Sequence, residues 1–287
     1  MRVLIIGKSG QVARALAGRA LARGAKVSVL GRPELDLEGR IGPLPDVPPI
    51  VINAAAYTQV DRAEDESARA YAVNAGAAGA LAASGSRDGV FIHFSTDYVF
   101  SGDKPAPYVE SDPVSPINAY GASKLAGEKA VLEAQSRSVI LRTAWVYDAQ
   151  GGNFVRTMLR LAKQQREIAV VADQQGCPTF AGDLASAALD VASRQGPFGV
   201  FHCTGAGATT WAGFAEEIFR LSKARGGPCA AVQPISAAEF PTRAKRPQNS
   251  RLDCSKLANE YGVRMRPWQD ALAECIDEIA AQGWSVE

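Results

Sequence analysis

Val3-Leu4-Ile5-Ile6-Gly7-Lys8-Ser9-Gly10-Gln11-Val12-Ala13 holds a complete strand-to-helix unit. Its four apolar residues run without alternation, as a strand covered on both faces requires. Two glycines follow at once, and Gln11 to Arg23 carries an amphipathic helical pattern ended by Gly24. The same order recurs outward from this unit. Val27–Leu30, Ile50–Asn53, Val90–Ser95 and Val139–Arg142 read as buried strands, with helices after Asp61 through Asn74 to about Ser84 and from Tyr120 to about Ala134. Strands alternating with helices predict an α/β fold: a doubly wound parallel sheet, helices on both faces, ligands at the carboxyl ends of the strands.

After Tyr147 the pattern weakens. Val170-Val171 and Val200–Cys203 read as strands, Asn153 as a helix start and Asp183 as opening a helix; beyond Gly205, helices alternate with Pro-rich loops, notably Phe240–Arg251. The expected division is residues 1–147 as the sheet domain, to which later segments can return, and residues 148–287 as a smaller mixed α/β substrate-binding lobe. No Gly/Ser/Pro linker separates them, so the lobes are expected to share an interface.

The 287 residues are 47% hydrophobic and 21% charged, and 31 Lys+Arg against 30 Asp+Glu leave a net charge of +1. This excludes a disordered or fibrous chain, and without a basic block it argues against nucleic acid or an anionic membrane as partner. The five cysteines (Cys177, Cys203, Cys229, Cys254, Cys275) show no C-x-x-C pair, and His93 and His202 lack ligand partners. No disulfide, redox or metal site is expected. The first apolar run ends at Gly7 and no membrane-length stretch follows, so the expected location is the cytoplasm and the expected partner a small molecule, with the chain a monomer or homodimer.

Gly7-Lys8-Ser9-Gly10-Gln11-Val12-Ala13 is spaced G-x-x-G-x-x-A. Glycines at a strand-to-helix turn let the backbone approach a pyrophosphate on the helix N-terminus, which makes Gly7, Gly10, Gln11 and Val12 cofactor candidates. At the end of the second strand a ribose-binding carboxylate would favour NAD. Gly31-Arg32 stands there instead, and a guanidinium suits a 2′-phosphate, so NADPH is the expected cofactor, with NADH also usable; the other reading of Arg32 is a solvated loop residue. Asp36 and Leu37 are placed to reach the adenine. Ala54, Ala55, Ala56 and Tyr57 follow the third strand, where small residues leave room for ribose and pyrophosphate; packing alone is the alternative.

Tyr120-Gly121-Ala122-Ser123-Lys124 opens a helix, so Tyr120 and Lys124 share one face at i and i+4. A positive charge near a phenol lowers its pKa from about 10 toward the working range, as an acid for ketone reduction needs. Lys124 could also hold the hydroxyls of a nicotinamide ribose. Thr96, at the end of the fourth strand in Ser95-Thr96-Asp97-Tyr98-Val99-Phe100, could steady the substrate oxygen, or simply cap its own backbone.

These residues resemble the extended short-chain dehydrogenase/reductase superfamily, which implies a Rossmann-type sheet, and within it the family of dTDP-4-dehydrorhamnose reductases. The resemblance extends over nearly the whole chain. It includes Asn53–Thr58 with Val60–Glu64, Ser95–Phe100, Pro116 with Tyr120–Glu128, Arg142–Tyr147, Asn153-Phe154, Asp173–Thr179, Thr210-Trp211 and Arg246–Leu252. It implies Thr96, Tyr120 and Lys124 as the catalytic set and hydride transfer from NADPH or NADH to the C4 ketone of dTDP-4-dehydro-L-rhamnose. It further implies Thr96, Asp97 and Trp145 as contacts of the deoxysugar and Asn153 as a contact of the diphosphate. Arg246 and Arg251 have the chemistry to assist there, or are solvated loop residues. An indole suits a 6-deoxysugar, but Trp145 also reads as a core residue. The remaining tryptophans, Trp211 and Trp268, read as core of the second lobe, Asp61 as a helix cap, Asn74 as a packing or backbone-binding residue and His93 as a satisfied core residue. Where some members carry an acidic metal ligand in the first helix, this chain has Ala13-Arg14-Ala15, so no metal is expected. The competing readings are another nucleotide-sugar reductase or epimerase, or a non-catalytic regulator resembling the regulatory subunit of methionine adenosyltransferase.

Overall fold

A computed structural model of the chain describes residues 1–39, 41, 42, 44, 47–194 and 196–286. In chain order the elements that place the site are β1 (Arg2–Ile6), α1 (Gln11–Ala22), β2 (Lys26–Leu30), β3 (Ile50–Asn53), α2 (Ser67–Tyr71), α3 (Ala78–Ala83), β4 (Val90–Thr96), α4 (Ala119–Ala134) and β5 (Ser138–Thr143). Then come β6 (Val146–Tyr147), α5 (Phe154–Ala162), β7 (Glu167–Val171), β8 (Gln175–Gly176), β9 (Thr179–Phe180), α6 (Ala181–Ser193), β10 (Gly199–His202), β11 (Thr209–Thr210), α7 (Trp211–Ala224), β12 (Ala231–Ile235), α8 (Ser255–Tyr261) and α9 (Trp268–Ala281). A π-helical turn over Ala72–Ala77 joins α2 to α3.

Six strands form one parallel sheet in the order β2-β1-β3-β4-β5-β10. From β1 the chain steps to one side for β2 and to the other for β3, so the order reverses between β1 and β3, where a doubly wound sheet opens a crevice for ligands. The unbroken apolar runs follow from burial on both faces. Val3 and Ile5 pack with Leu16 of α1 and Leu184 and Leu189 of α6, whereas Leu4 and Ile6 pack with Leu81 of α3 and Val131 of α4. Helix α6 and strand β10 follow Tyr147 in the chain yet build into this first core.

A second core gathers Val155 and Leu159 of α5, Phe214 and Ile218 of α7 and Leu272 and Ile276 of α9 around the parallel pair β7–β12. Among the described residues no helix is long and apolar enough to cross a membrane.

Candidate active site

The crevice between β1 and β3 is a cavity of about 490 Å³ lined by Gly7, Gly10, Arg32, Leu37, Ala54, Ala55, Ala56 and Tyr57 among others. Gly7 has φ +116°, and a Cβ on it would stand 3.3 Å from the Ala55 nitrogen, so only glycine keeps this backbone-to-backbone approach. Gly10 caps α1 without any side-chain hydrogen bond, which leaves first-turn N–H groups for an anion. A pyrophosphate therefore fits. Three further expected cofactor residues are engaged otherwise. The Gln11 side-chain carbonyl accepts from Asn153 Nδ2 at 3.0 Å, and Val12 packs against the first core. Asp36 is exposed and bound to Arg32 at 3.1 Å, a stronger attraction than any adenine edge offers, so it does not line the cavity.

Arg32 also pairs with Glu38, and Glu38 accepts two bonds from Arg69, at 2.8 and 2.9 Å. Both Arg69 and Glu38 line the cavity. Sequence reasoning missed them because Arg69 comes from α2, 31 residues beyond Glu38, and no local motif joins them. The paired Arg69 holds the Glu38 carboxyl below the usual range, Arg32 assisting.

Tyr120, Lys124 and Glu128 recur at i, i+4 and i+8 along α4, whose N-terminus is capped by Asn118 Oδ1 accepting from Gly121 N at 2.7 Å. The face they share packs on β4 and β5. Thr96 ends β4 buried; its hydroxyl accepts from Tyr98 N at 3.1 Å and donates to Asp97 Oδ1 at 2.9 Å. The backbone-capping role and the position beside Tyr120 thus coexist. Burial pushes the Tyr120 phenol well up, Asp97 adds to the rise, and the Thr96 hydroxyl opposes it. The expected lowering of the phenol by Lys124 is corrected here. The Lys124 nitrogen is turned to the Phe94 carbonyl at 2.6 Å and to His93 Nε2 at 3.3 Å, under the end of the sheet.

Burial pushes the Asp97 carboxyl up to about 6, against hydrogen bonds from Ser250 and Thr96. Its Oδ2 is buried with Ser250 beside it and keeps acceptor capacity that a sugar hydroxyl would satisfy. Beneath the site Glu128 accepts from Arg142 at 2.7 and 2.9 Å and from Ser95 Oγ at 2.5 Å. Asn74 is a backbone-binding residue: its Oδ1 accepts from Tyr57 N at 2.9 Å and its Nδ2 donates to Ser123 Oγ at 2.9 Å, tying the loop after β3 to α4.

A second cavity, of about 660 Å³, lies against the second lobe and is lined by Asp61, Phe154, Met158, Trp211, Phe240 and Arg246 among others. Trp145 is half-buried at φ +47°, and its indole lies flat on that of Trp211, centroids 3.5 Å apart and planes 8° apart. Gly176 leaves the space this stack needs, since a Cβ there would strike the Trp145 ring. Trp211, half-buried and packed against the second core as its sequence context suggested, is also a wall of the cavity; Trp268 is core. Asp61 makes no cap. Its carboxylate binds Arg246, a charged partner that outbids the single N–H of a helix start.

Arg246 is thus placed at this cavity, but Arg251 and Asn153 are not among its lining residues. Arg251 folds back on Asn249 Oδ1 at 2.8 Å and on the Pro105 carbonyl. Asn153 caps α5, accepting from Arg156 N at 3.2 Å, and spends its amide on the Asp148 carbonyl at 2.8 Å and on Gln11. The expected diphosphate contact through Asn153 is corrected accordingly: its hydrogen bonds are committed to the fold. His93 is buried and satisfied, as its position in β4 suggested.

Comparison with known proteins decides the family. The sequence model of the family described as the RmlD substrate binding domain matches residues 1–281. A Sinorhizobium fredii dTDP-4-dehydrorhamnose reductase is 44% identical, over 99% of each chain. The chain belongs to the dTDP-4-dehydrorhamnose reductase family. Solved structures from the family superpose closely. One from Clostridium acetobutylicum has a TM-score of 0.90 at 37% identity, covering 98% of this chain and 100% of its own. A Bacillus anthracis dTDP-4-dehydrorhamnose reductase, solved in complex with NADP, has a TM-score of 0.88 at 35% identity, covering 96% and 99%. Of the family blocks read along the sequence, Ala54–Thr58 lines the first cavity, and Asp61, Phe154, Gln174, Trp211 and Arg246 line the second.

Proposed function

We infer that this chain is an oxidoreductase that reduces the C4 ketone of dTDP-4-dehydro-L-rhamnose, with NADPH as cofactor, to give dTDP-L-rhamnose. The observation that carries this reading is a family match along nearly the whole chain to reductases of that name, in a fold that retains Thr96, Tyr120 and Lys124 at one strand end. Bound in the first cavity, NADPH supplies the hydride. The residues that would hold it are Gly7 and Gly10 at the pyrophosphate, Ala54–Tyr57 along the ribose and Arg32 with Arg69 at the 2′-phosphate. Tyr120 is the acid: its O–H gives a proton to the ketone oxygen as C4 accepts the hydride, and the product is the alcohol. Thr96 donates to the same oxygen and Lys124 takes the nicotinamide ribose. Asp97 and Trp145 meet the deoxysugar, and Arg246 the diphosphate.

The division of labour follows the two cores, with residues 1–147, α6 and β10 as the cofactor lobe and most of 148–287 as the sugar lobe. The deciding experiment mixes purified protein, NADPH and enzymatically prepared dTDP-4-dehydro-L-rhamnose and follows nicotinamide absorbance, with the nucleotide-free sugar as control. Oxidation only with the nucleotide sugar supports the reading. Binding of NADPH without oxidation removes the reductase assignment.

A further inference from the structure

Lys124 is buried, 2% exposed, and its nitrogen lies 3.3 Å from a histidine that the reaction does not call on. The orientation of that histidine follows from a chain of hydrogen bonds. Asn53 ends β3, and its Oδ1 accepts the Ala55 N–H at 3.1 Å. This fixes which end of the amide is which, because the reverse orientation would set two donors against each other. Asn53 Nδ2 therefore points at His93 Nδ1, 3.1 Å away, and the imidazole must accept there. Burial, with Lys124 adding, holds His93 neutral, far below its usual pKa. A neutral imidazole that accepts at Nδ1 carries its one proton on Nε2. That N–H faces Lys124 Nζ at 3.3 Å, while the lysine nitrogen donates to the Phe94 carbonyl at 2.6 Å.

An ammonium has three protons and no lone pair, so it can only oppose the Nε2–H; an amine can accept it and still donate to Phe94. We propose that Asn53 and His93 act as a tautomer lock on Lys124, positioning residues that turn an imidazole N–H toward the lysine nitrogen and so favour its neutral form in the free enzyme. This rests on the reductase reading for its purpose, since the charge on Lys124 sits one helical turn from Tyr120. Two other charged groups lie near Lys124. Glu128 follows one turn later on α4 and favours the ammonium, but it already accepts from Arg142 of β5 and from Ser95 of β4. Asp97 follows β4 and faces Tyr120 and Thr96. Burial, partly offset by Glu128, brings Lys124 down to about 8, in keeping with the geometry.

The test reads the lysine directly and needs no substrate. The full chain, labelled with 13C at the lysine ε carbon, is titrated by NMR, and the Lys124 signal is assigned by its loss in Lys124→Arg. Wild-type Lys124 should titrate well below the ordinary lysine midpoint of about 10.4. In His93→Gln the side-chain carbonyl can accept from an ammonium, and in Asn53→Asp the carboxylate accepts from Nδ1–H and returns Nε2 as an acceptor. Each change should raise the Lys124 midpoint by about one pH unit or more. An ordinary midpoint in the wild type, or variants that titrate with it, overturns the lock; if either variant does not fold, the other and the wild-type titration still decide. The pH dependence of NADPH oxidation should shift in the same direction in the variants. Absence of turnover would remove the reductase reading, while the titration would still decide for or against the lock.

Discussion

Asp61 and Arg246 are joined across 185 residues of chain: the carboxylate accepts from the guanidinium at 2.7 and 3.1 Å and from the Ala244 N–H at 3.0 Å. The pair fastens the loop after Phe240, which carries one wall of the second cavity, to the segment after β3, which borders the first. The Arg243–Asp65 ion pair and a hydrogen bond from Asn118 Nδ2 to the Lys245 carbonyl at 2.8 Å hold the same loop. The Asp61 side chain is 45% exposed, so the contribution of its pair with Arg246 to global stability is small, within about 1 kcal/mol.

Asp61→Ala should therefore leave the melting temperature almost unchanged while raising KM for the nucleotide sugar about tenfold, the effect of losing a charge-assisted contact worth roughly 1.5 kcal/mol. Steady-state kinetics at saturating NADPH checks this. A normal KM with a lowered melting temperature would assign the pair to the fold alone.

Removing the phenolic O–H leaves the ring and the helix in place. Tyr120→Phe should lower turnover by on the order of 10² to 10⁴ while NADPH affinity, measured by fluorescence titration, stays nearly constant. Wild-type turnover in this variant would exclude Tyr120 as the acid.

Two arginines converge on Glu38 at the end of β2, Arg32 pairing with Asp36 as well and Arg69 with Glu66. Arg69→Ala should weaken NADPH more than NADH, as should Arg32→Ala, because only NADPH brings a 2′-phosphate that can take a guanidinium from its carboxylate partners. Equal losses for both cofactors would show that neither guanidinium reads the phosphate.

Burial raises the Asp97 carboxyl to about 6, which makes its ionised form a cost to the folded state. Between pH 4 and 6, roughly, the folded protein keeps a proton that the unfolded chain has lost, so stability falls as pH rises through that window and stays lowered above it. Two pKa units correspond to about 3 kcal/mol. Asp97→Asn should accordingly match the wild type near pH 4 and exceed it by up to about 3 kcal/mol at pH 7 in denaturant unfolding, while turnover falls through loss of the sugar contact. A constant difference across this range would rule out titration of Asp97 as its source.

By itself the sequence determined the parallel sheet, the glycine turn after β1, and the order of Thr96, Tyr120 and Lys124 along the chain. The reason is local: unbroken apolar runs mean strands buried on both faces, and helix spacing places residues four apart on one side. The family blocks around Trp145, Asp173–Thr179 and Arg246 were legible in the same linear way. What only the tertiary structure decided concerns partners distant in sequence. Asp61 could act as a cap or bind a guanidinium until Arg246 was brought beside it, and Trp211 read only as core until Trp145 stacked on it at a cavity wall. Arg69 gained meaning only beside Glu38, as did Asn153 beside Gln11. Lys124 was expected to act on Tyr120 because both lie on α4, yet the direction of its nitrogen is set by the Phe94 carbonyl and His93 on a neighbouring strand. Hydrogen bonds and ion pairs are governed by distances of a few ångströms, which chain order does not encode until the sheet and its two cores have packed.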